Sequence, residues 1–193
     1  MRSYSAGGVF IPTCLALIIF LISCSPKCVV RGQVVDAETH QPIKGAAVAI
    51  RWYTDNSVQE STDSRTVAAV QALADDKGVF EIPKYSDKKY VLGVYKNGYI
   101  CWSSRDIFLL DADIHTSDTY RPIKNHPLKD DMQIDLRPLK NIRLRTLHAG
   151  FTVMVAGEAT DTDSGPFHEA IQSEYKLWRE GLRKDFQKQL GVR

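Results

Sequence analysis

The sequence predicts a mainly β protein, a β-sandwich followed by a helical extension at the C-terminus. Between residues 29 and 139, short runs of β-branched and aromatic residues alternate with turn residues, which is typical of an all-β domain. Beyond residue 140 the apolar residues recur every three or four positions, which is the period of a helix. The chain that precedes residue 29 carries no charge between Arg2 and Lys27 and belongs to neither pattern.

Eight runs are predicted as strands, and each is bounded by turn residues. The runs are 29–35, 46–52, 66–73, 78–82, 89–96, 99–102, 105–110 and 132–139. The polar segment 36–42 and Asn97-Gly98 are predicted turns. Asp75-Asp76-Lys77-Gly78 is predicted as a tight hairpin turn, in which Gly78 supplies the positive φ that other residues resist. Short strands at such regular spacing favour a sandwich.

Three blocks within residues 29–139 combine turn residues with alternating apolar residues in a fixed order. They are Gly32-x-Val34-x-Asp36-x-x-Thr39-x-x-Pro42-Ile43-x-Gly45-Ala46-x-Val48, then Asp75-x-x-Gly78-x-Phe80-x-Ile82, then Tyr90-x-Leu92-x-Val94-x-x-x-Gly98-Tyr99. Together they resemble the carboxypeptidase regulatory-like domain. The resemblance implies a seven-stranded, prealbumin-like Greek-key β-sandwich related to transthyretin. In that family the domain is usually an accessory binding or spacer element, so the motif specifies a fold and leaves the function open.

The N-terminal segment resembles the signal of a bacterial lipoprotein. Arg2 precedes residues 9–23, an almost wholly apolar stretch that is interrupted by Pro12 and too short for a comfortable membrane span of about 20 residues. The stretch ends in Leu21-Ile22-Ser23-Cys24, which resembles a lipobox. The resemblance implies that residues 1–23 are a cleaved signal peptide and that Cys24 carries acyl chains, palmitate among them, that anchor the protein in the membrane. An uncleaved N-terminal anchor stays open as the alternative.

The residues next to Cys24 bear on where the protein would sit. Ser25 stands where an Asp would resemble the inner-membrane retention signal, so a lipid anchor in the outer membrane, on its periplasmic face, is expected. Residues 24–28 form the tether, and four residues span at most about 14 Å. We therefore expect the sandwich to lie against the membrane, with Lys27 and Arg31 near the lipid phosphates.

The four cysteines have different expected fates. Cys14 leaves with the signal peptide and Cys24 is consumed by the lipid, so only Cys28 and Cys101 remain in a compartment that permits disulfides. These two either pair with each other or stay as free thiols, because the sequence does not show whether they are close in space.

Charge and motifs restrict the function classes. The chain has 25 Lys and Arg against 23 Asp and Glu, a formal net charge of +2, so nothing favours nucleic acid as a partner. The sequence contains no His-x-x-Glu, His-Glu-x-x-His, Gly-x-Ser-x-Gly or Cys-x-x-Cys motif and no phosphate-binding glycine loop. We predict no catalytic residue, no metal and no cofactor.

Two weaker groups of residues could contribute carboxylates to a cation site. Asp111, Asp113 and His115 alternate on one predicted strand face near Asp118, but a solvated loop is the simpler interpretation. Asp161-x-Asp163-x-Gly165 is similar to the start of a calcium loop, but acids before a helix N-terminus are the simpler interpretation there. The remaining histidines are scattered and predicted as surface or packed residues: His40, His126, His148 and His168.

The extension, residues 140–193, is predicted to contain two elements. A helix begins near Asn141, although the Val-rich segment 151–155 leaves a strand open. A longer amphipathic helix follows Pro166, which suits a first helical turn. Its aromatic and aliphatic stripe could dock on the sandwich, on a partner or on the membrane surface, and docking on the parent domain is preferred. The candidate docking residues are Tyr175, Trp178, Leu182 and Phe186.

Three functions are compatible with these features. The first is a non-catalytic, lipid-anchored binding or structural module of the cell envelope, with an envelope protein or a glycan as its partner. The second is an accessory subunit of a secretion, peptidoglycan or glycan-handling complex that docks through its C-terminal helix. The third, a hydrolase with an unrecognised site, ranks last because no nucleophile–base pair is visible.

Overall fold

The computed structural model describes residues 29–55, 64–85, 88–110, 119–124 and 126–189. The strands in these residues are β1 (Val29–Asp36), β2 (Ala47–Asp55), β3 (Ser64–Leu73), β4 (Val79–Pro83), β5 (Lys89–Tyr95), β6 (Trp102–Ser103), β7 (Asp106–Phe108), β8 (Tyr120–Pro122) and β9 (Met132–Leu136). A 3-10 turn at Ile142–Leu144 leads into helix α1 (Arg145–Ala159), which is followed by α2 (Pro166–Ala170) and α3 (Gln172–Gln189).

The strands form two main sheets and a small ribbon. Sheet 1 has the order β4-β1-β9, sheet 2 has the order β3-β2-β5-β6, and β7 pairs with β8. β1 pairs antiparallel with β4 and parallel with β9, while β2 pairs antiparallel with both β3 and β5. The described part of the chain is thus mainly β with C-terminal helices, as predicted, but it has nine strands, so the prediction of seven is wrong. No strand was predicted at β8. β6 is the short edge strand of sheet 2, and β7 and β8 form a separate short ribbon.

The first hydrophobic core lies between the two sheets. Alternate residues of β2, namely Val48, Ile50 and Trp52, point into it, as the two-residue period of a strand requires. From sheet 1 the core receives mainly β-branched and aromatic side chains: Val30, Val34, Phe80, Ile82, Ile134 and Leu136. All of these side chains are almost completely buried.

A second core lies on the opposite face of sheet 2. Ala47 and Ala49 of β2 and Val91 of β5 pack there against the apolar faces of α1 and α2. Because sheet 2 is covered on both faces, β2 and β5 are nearly continuous apolar runs and lack the strict alternation of a half-exposed strand. The molecule is therefore built in three layers, which are sheet 1, sheet 2 and the helices.

The predicted turn at residues 75–78 is present, but it does not close a hairpin. The Asp75 carboxylate accepts hydrogen bonds from the backbone N–H groups of Lys77 and Val79, both at 2.8 Å. Gly78 has φ of +71°, and a Cβ there would collide with the backbone oxygen of Val34. β3 and β4, on either side of the turn, belong to different sheets, because β3 lies beside β2 in sheet 2 and β4 lies beside β1 in sheet 1. Phe80 on β4 packs into the core between the two sheets. The prediction of a hairpin is wrong, whereas the prediction of positive φ is confirmed.

The helix layer contacts sheet 2 at a glycine. A Cβ on Gly93 of β5 would lie 2.7 Å from Val155 Cγ1 and 3.3 Å from Phe167 Cζ. No real side-chain atom sits that close, so only glycine allows α1 and α2 to approach β5 at this point. α1 confirms the predicted helix near Asn141 and excludes the strand alternative for residues 151–155.

Helix α3 packs on α1 at two further close approaches. The Trp178 ring lies against Gly150, and Gly181 lies against the Thr146 methyl group. The preferred prediction, docking of the C-terminal helix on its own domain, is confirmed for Trp178. Pro166 occupies the first turn of a helix, as predicted, but the single long helix predicted after it is wrong, because α2 ends at Ala170 and α3 begins at Gln172.

We expect the substitution Gly93→Ala to lower the free energy of unfolding by about 1–3 kcal/mol, because the added methyl group overpacks the contact with Val155. Gly157→Ala is the matched control, since a Cβ there meets nothing within 4 Å and alanine favours the helix by up to about 1 kcal/mol. Chemical denaturation of the two variants measures both effects. Equal stability of the two variants would show that the helix layer adjusts freely over β5.

Candidate functional site

A cleft of about 590 Å³ opens between the edges of the two sheets. One wall is formed by β6 and β7, and the other by the segment that leads into β9. β9 is the edge strand of sheet 1 and β6 is the edge strand of sheet 2, so the cleft lies where the sandwich is open at one side. A volume of this size is in the range of small-ligand sites in proteins.

An aromatic pair lies in the wall of this cleft. Trp102 is half-buried on β6, and the His126 ring stacks on it with 5.3 Å between the ring centroids and 34° between the planes. His126 itself is exposed. The pair presents flat, polarisable surface beside polar groups, which is the combination that orients small ligands.

Among the described residues that line the cleft, carboxylates outnumber cationic groups. The acids are Asp106, Asp130, Asp131 and Asp135, and the cations are Lys129 and Arg137. All of them except Asp106 are exposed. Gln133 donates a hydrogen bond from Nε2 to the Asp135 carboxylate at 2.7 Å. The cleft therefore offers both acceptors and donors, with an excess of negative charge.

Asp106 differs from the other acids because it is buried, with 9% of its surface exposed. The Ser103 hydroxyl accepts hydrogen bonds from the backbone N–H groups of Arg105 and Asp106, and this fixes the turn between β6 and β7. Its carboxylate oxygens are not among the fully buried, unpartnered polar atoms of the described residues, so the group is accessible from the cleft that it lines and can accept a hydrogen bond from a ligand.

Asp130 and Asp131 form the acidic rim of the cleft, and the register of sheet 1 places this rim at one end of the molecule. β1 and β9 run parallel, with Gly32 opposite Met132. Asp130 and Asp131 directly precede Met132, so they lie at the end of the sheet where β1 begins, roughly one strand spacing of about 5 Å to the side. Asp131 has φ of +56°, a conformation that Asp tolerates better than most residues.

A buried polar group lies behind the cleft, between sheet 2 and α1. The His148 Nε2 atom accepts a hydrogen bond from the backbone N–H of Cys101 at 2.9 Å. The Thr152 hydroxyl donates to the backbone oxygen of His148 at 2.9 Å. Because Nε2 is an acceptor, the neutral ring carries its proton on Nδ1. Burial, and secondarily the charge of Arg145, lowers the pKa of His148 to about 4.

Neighbouring buried residues attach α3 to the same region. Glu174 is 2% exposed, and its Oε1 atom accepts hydrogen bonds from the Tyr95 hydroxyl at 3.0 Å and from Arg145 Nη2 at 3.1 Å. Burial, followed by the charge of Glu174, raises the pKa of Tyr95 far above its usual value. Burial likewise raises the pKa of the Cys101 thiol, which therefore stays protonated and is a poor nucleophile. This group is structural in character.

The predicted site residues have different outcomes. Cys24 and Cys28 lie outside the described residues, so lipidation and the Cys28–Cys101 pairing stay predictions. Cys101 is buried and forms no disulfide with another described residue. On α3, Tyr175 and Trp178 are half-buried and contact each other edge to face, with 5.7 Å between the ring centroids, while Leu182 is 51% exposed. The side chain of Phe186 lies outside the described part of the structure.

The weaker metal candidates receive no support. Asp111, Asp113, His115 and Asp118 lie outside the described residues. Asp161 and Asp163 are exposed in the loop that precedes α2. No cluster of three or more His, Cys, Asp or Glu side chains suited to a metal ion occurs in the part of the chain that the structure describes. None of the helices in that same part is both long enough and apolar enough to cross a membrane.

Sequence reasoning did not identify the cleft residues. Trp102, Asp106 and His126 are dispersed along the chain, and only the topology brings them together with the segment before β9. One local signal was available. Lys129-Asp130-Asp131 is a charged turn directly before an apolar strand, and such turns often lie at the rim of a site.

No known protein family and no curated protein matches the chain in sequence. The resemblance to carboxypeptidase regulatory-like domains and the prealbumin-like topology therefore stay predictions.

Solved structures share only a distant likeness with the chain. A protein from Bacteroides uniformis proposed to bind carbohydrate is 11% identical, with a TM-score of 0.33, over 58% of this chain and 42% of its own length. A streptococcal ancillary pilin is 15% identical, with a TM-score of 0.31, over 60% and 30%. Catechol 1,2-dioxygenase from Pseudomonas arvilla is 12% identical, with a TM-score of 0.34, over 63% and 56%. The chain spans less than two thirds of each, and this likeness does not choose among binding, structural and enzymatic functions.

We expect the stability of the protein to fall between pH 6.5 and pH 4 because of His148. The folded protein holds the pKa of His148 at about 4, below the value of about 6.5 in the unfolded chain. The resulting stabilisation, about 3 kcal/mol, is complete above pH 6.5 and is lost as the pH falls through that window.

Urea denaturation at several pH values measures this effect, and His148→Gln is the comparison variant. The variant should show a flatter dependence on pH over the same window. The difference between the two proteins isolates His148 from Glu158, whose pKa is raised by burial and whose protonation acts in the opposite sense. Identical pH dependence of the two proteins would contradict the prediction, because it would mean that His148 has the same pKa in the folded and the unfolded protein.

Proposed function

We propose that this protein is a non-catalytic, lipid-anchored binding module of the cell envelope, and that it holds its ligand in the cleft between β6, β7 and β9. The observation that carries the proposal is the lining of the cleft. It combines the aromatic pair Trp102 and His126 with a buried carboxylate and with exposed groups of both charges. Such a lining is suited to bind a polar ligand, and its charged groups other than Asp106 are exposed.

The non-catalytic part of the proposal rests on the state of the nucleophilic groups near the cleft. Cys101 lines it, but its thiol is buried and its pKa is raised. The nearest imidazole, His148, already accepts a backbone hydrogen bond, so it does not activate the thiol. A hydrolase with an unrecognised site therefore remains the weakest of the three candidate functions.

The anchoring part of the proposal rests on the sequence and on the position of β1. The lipobox-like Leu21-Ile22-Ser23-Cys24 is followed by a tether of four residues, and β1 begins at Val29. With Cys24 acylated in the outer membrane, the end of sheet 1 where β1 begins would face the lipid surface. The acidic rim of the cleft lies at this end, so the ligand would be bound close to the membrane.

A second candidate function is supported by the outer face of α3. Leu182 is half exposed there, and a groove of about 440 Å³ is lined by residues of this helix alone among those described. The charged residues of the groove are Lys176, Arg179, Glu180 and Arg183. The excess of positive charge favours an acidic segment of a protein partner, as expected for an accessory subunit of an envelope complex.

Replacement of Cys24 by Ser is expected to release the protein from the membrane fraction, because the acyl chains and not charge hold it there. Cell fractionation followed by intact mass measurement checks this outcome. The wild-type protein should lack residues 1–23 and carry the added mass of diacylglycerol and a third acyl chain. Cys28→Ser is the matched control and should stay in the membrane. An unprocessed chain with its N-terminus intact would contradict the lipoprotein part of the proposal.

A photo-crosslinking residue tests which surface the protein uses. Placed at Gln133 in the cleft, it should capture a defined envelope component, and the substitution Trp102→Leu should abolish this capture. The same residue at Arg179 on α3 tests the second candidate, and at Glu81, an exposed position on β4, it provides the background. Capture at Arg179 and not at Gln133 would favour the accessory subunit. Capture no greater than the background at both positions would contradict both functions.

A further inference from the structure

We propose that the cleft binds an organic cation, specifically a primary ammonium group, which pairs with Asp106 and lies against the ring of Trp102. This inference rests on the proposed function and names the ligand class of the same site. The first supporting observation is the charge of the lining, in which four carboxylates face two cationic side chains. A concave surface with an excess of one charge concentrates ligands of the opposite charge.

The second observation is the state of Asp106. It is 9% exposed and lines the cleft, and its carboxylate is not among the fully buried, unpartnered polar groups of the described residues, which leaves it accessible from the cleft. Glu158 of α1 adds negative charge nearby, since its pKa is raised by burial and further by the charge of Asp106. Arg105 Nη1 lies 3.7 Å from Glu158 Oε2, so the positive charge of Arg105 pairs with Glu158. An ammonium group would give Asp106 both a counter-charge and up to three donors.

The third observation is the aromatic component. Trp102 lines the same cleft, and indole is the ring that attracts cations most strongly. A site that joins a buried carboxylate to an indole ring distinguishes an ammonium from a neutral hydroxyl of the same size. The cleft volume of about 590 Å³ is far larger than a single metal ion needs, so it leaves room for an organic group attached to the cation.

The ammonium could arrive on a free amine or on an amine-bearing lipid headgroup. The acidic rim lies at the end of sheet 1 where β1 begins, which would be the anchored end. A headgroup with an ammonium and a phosphate would place its phosphate near Lys129 or Arg137, which also line the cleft. Both sources share the ammonium, and the experiment below separates them.

Isothermal titration calorimetry of the full chain in non-ionic detergent tests the proposal. Cadaverine is the free amine, and 1,5-pentanediol is its neutral match. Dihexanoyl phosphatidylethanolamine carries the amine on a headgroup, and dihexanoyl phosphatidylglycerol is the match without it. We expect cadaverine to bind and the diol not to bind. Binding of phosphatidylethanolamine at least about tenfold tighter than cadaverine indicates the headgroup, and the reverse order indicates a free amine.

The substitution Asp106→Asn should weaken cadaverine binding at least about tenfold, because it removes the buried counter-charge and preserves the volume. Asp161→Asn, at an exposed acid that does not line the cleft, is the matched control and should bind like the wild type. Asp106→Asn should also keep the midpoint of thermal unfolding, because the amide has nearly the same volume and shape as the carboxylate that it replaces. Loss of binding at an unchanged midpoint therefore does not result from misfolding.

Three results would overturn the cation class. They are binding of the diol as tightly as cadaverine, unchanged cadaverine binding by Asp106→Asn, and binding of calcium in place of amines. Absence of binding by every amine probe would overturn it as well. The proposed function fails separately, through the crosslinking experiment at Gln133, because that experiment does not depend on the charge of the ligand.

Discussion

The burial of sheet 2 on both faces is the constraint on which the other layers depend. Its inner face closes the sandwich against sheet 1, and its outer face carries Ala47, Ala49 and Val91, which only the helices cover. Small residues on that outer face, with Gly93 at the centre, let α1 approach to van der Waals contact. The C-terminal helices therefore share a core with the sandwich, and an exposed apolar sheet would result from their removal.

The attachment of α3 depends on a different kind of contact. Glu174 of α3 is an acidic residue that is buried between the helices and sheet 2. A buried carboxylate is tolerated only where donors and a counter-charge surround it. Tyr95 from sheet 2 and Arg145 from α1 supply them to Oε1, while Oε2 has no partner among the described residues. This arrangement connects all three elements and fixes the rotation of α3 about its axis. It leaves the outer face of the helix, with Leu182 and its basic residues, as the part that a partner could contact.

The sequence predicted the strands well wherever a two-residue period or a continuous apolar run was bounded by turn residues. β1, β2, β3, β4 and β5 lie within three residues of their predicted limits. The sheet to which each strand belongs was not predictable in the same way, because the turn at Gly78 has the same local chemistry whether it joins neighbours in one sheet or crosses between two. The cleft escaped prediction for a related reason. Its residues come from two segments, one around Trp102 and Asp106 and one from His126 to Arg137, which are joined by backbone contacts between residues 98–100 and 137–139 that no local pattern reveals.

The parallel pairing of β1 with β9 also links the anchor to the cleft. A tether of four residues reaches about 14 Å, so an acyl chain on Cys24 would hold the start of β1 near the lipid surface. Since β9 starts at the same end, the carboxylates of Asp130 and Asp131 would share that position. An anionic surface repels such groups by about 1 kcal/mol each and attracts cations by a similar amount. Acyl chains must therefore overcome the repulsion, and the same surface would enrich the cationic ligands that an acidic cleft prefers. A membrane-apposed, acid-lined cleft is thus consistent with a ligand that is itself concentrated at the membrane.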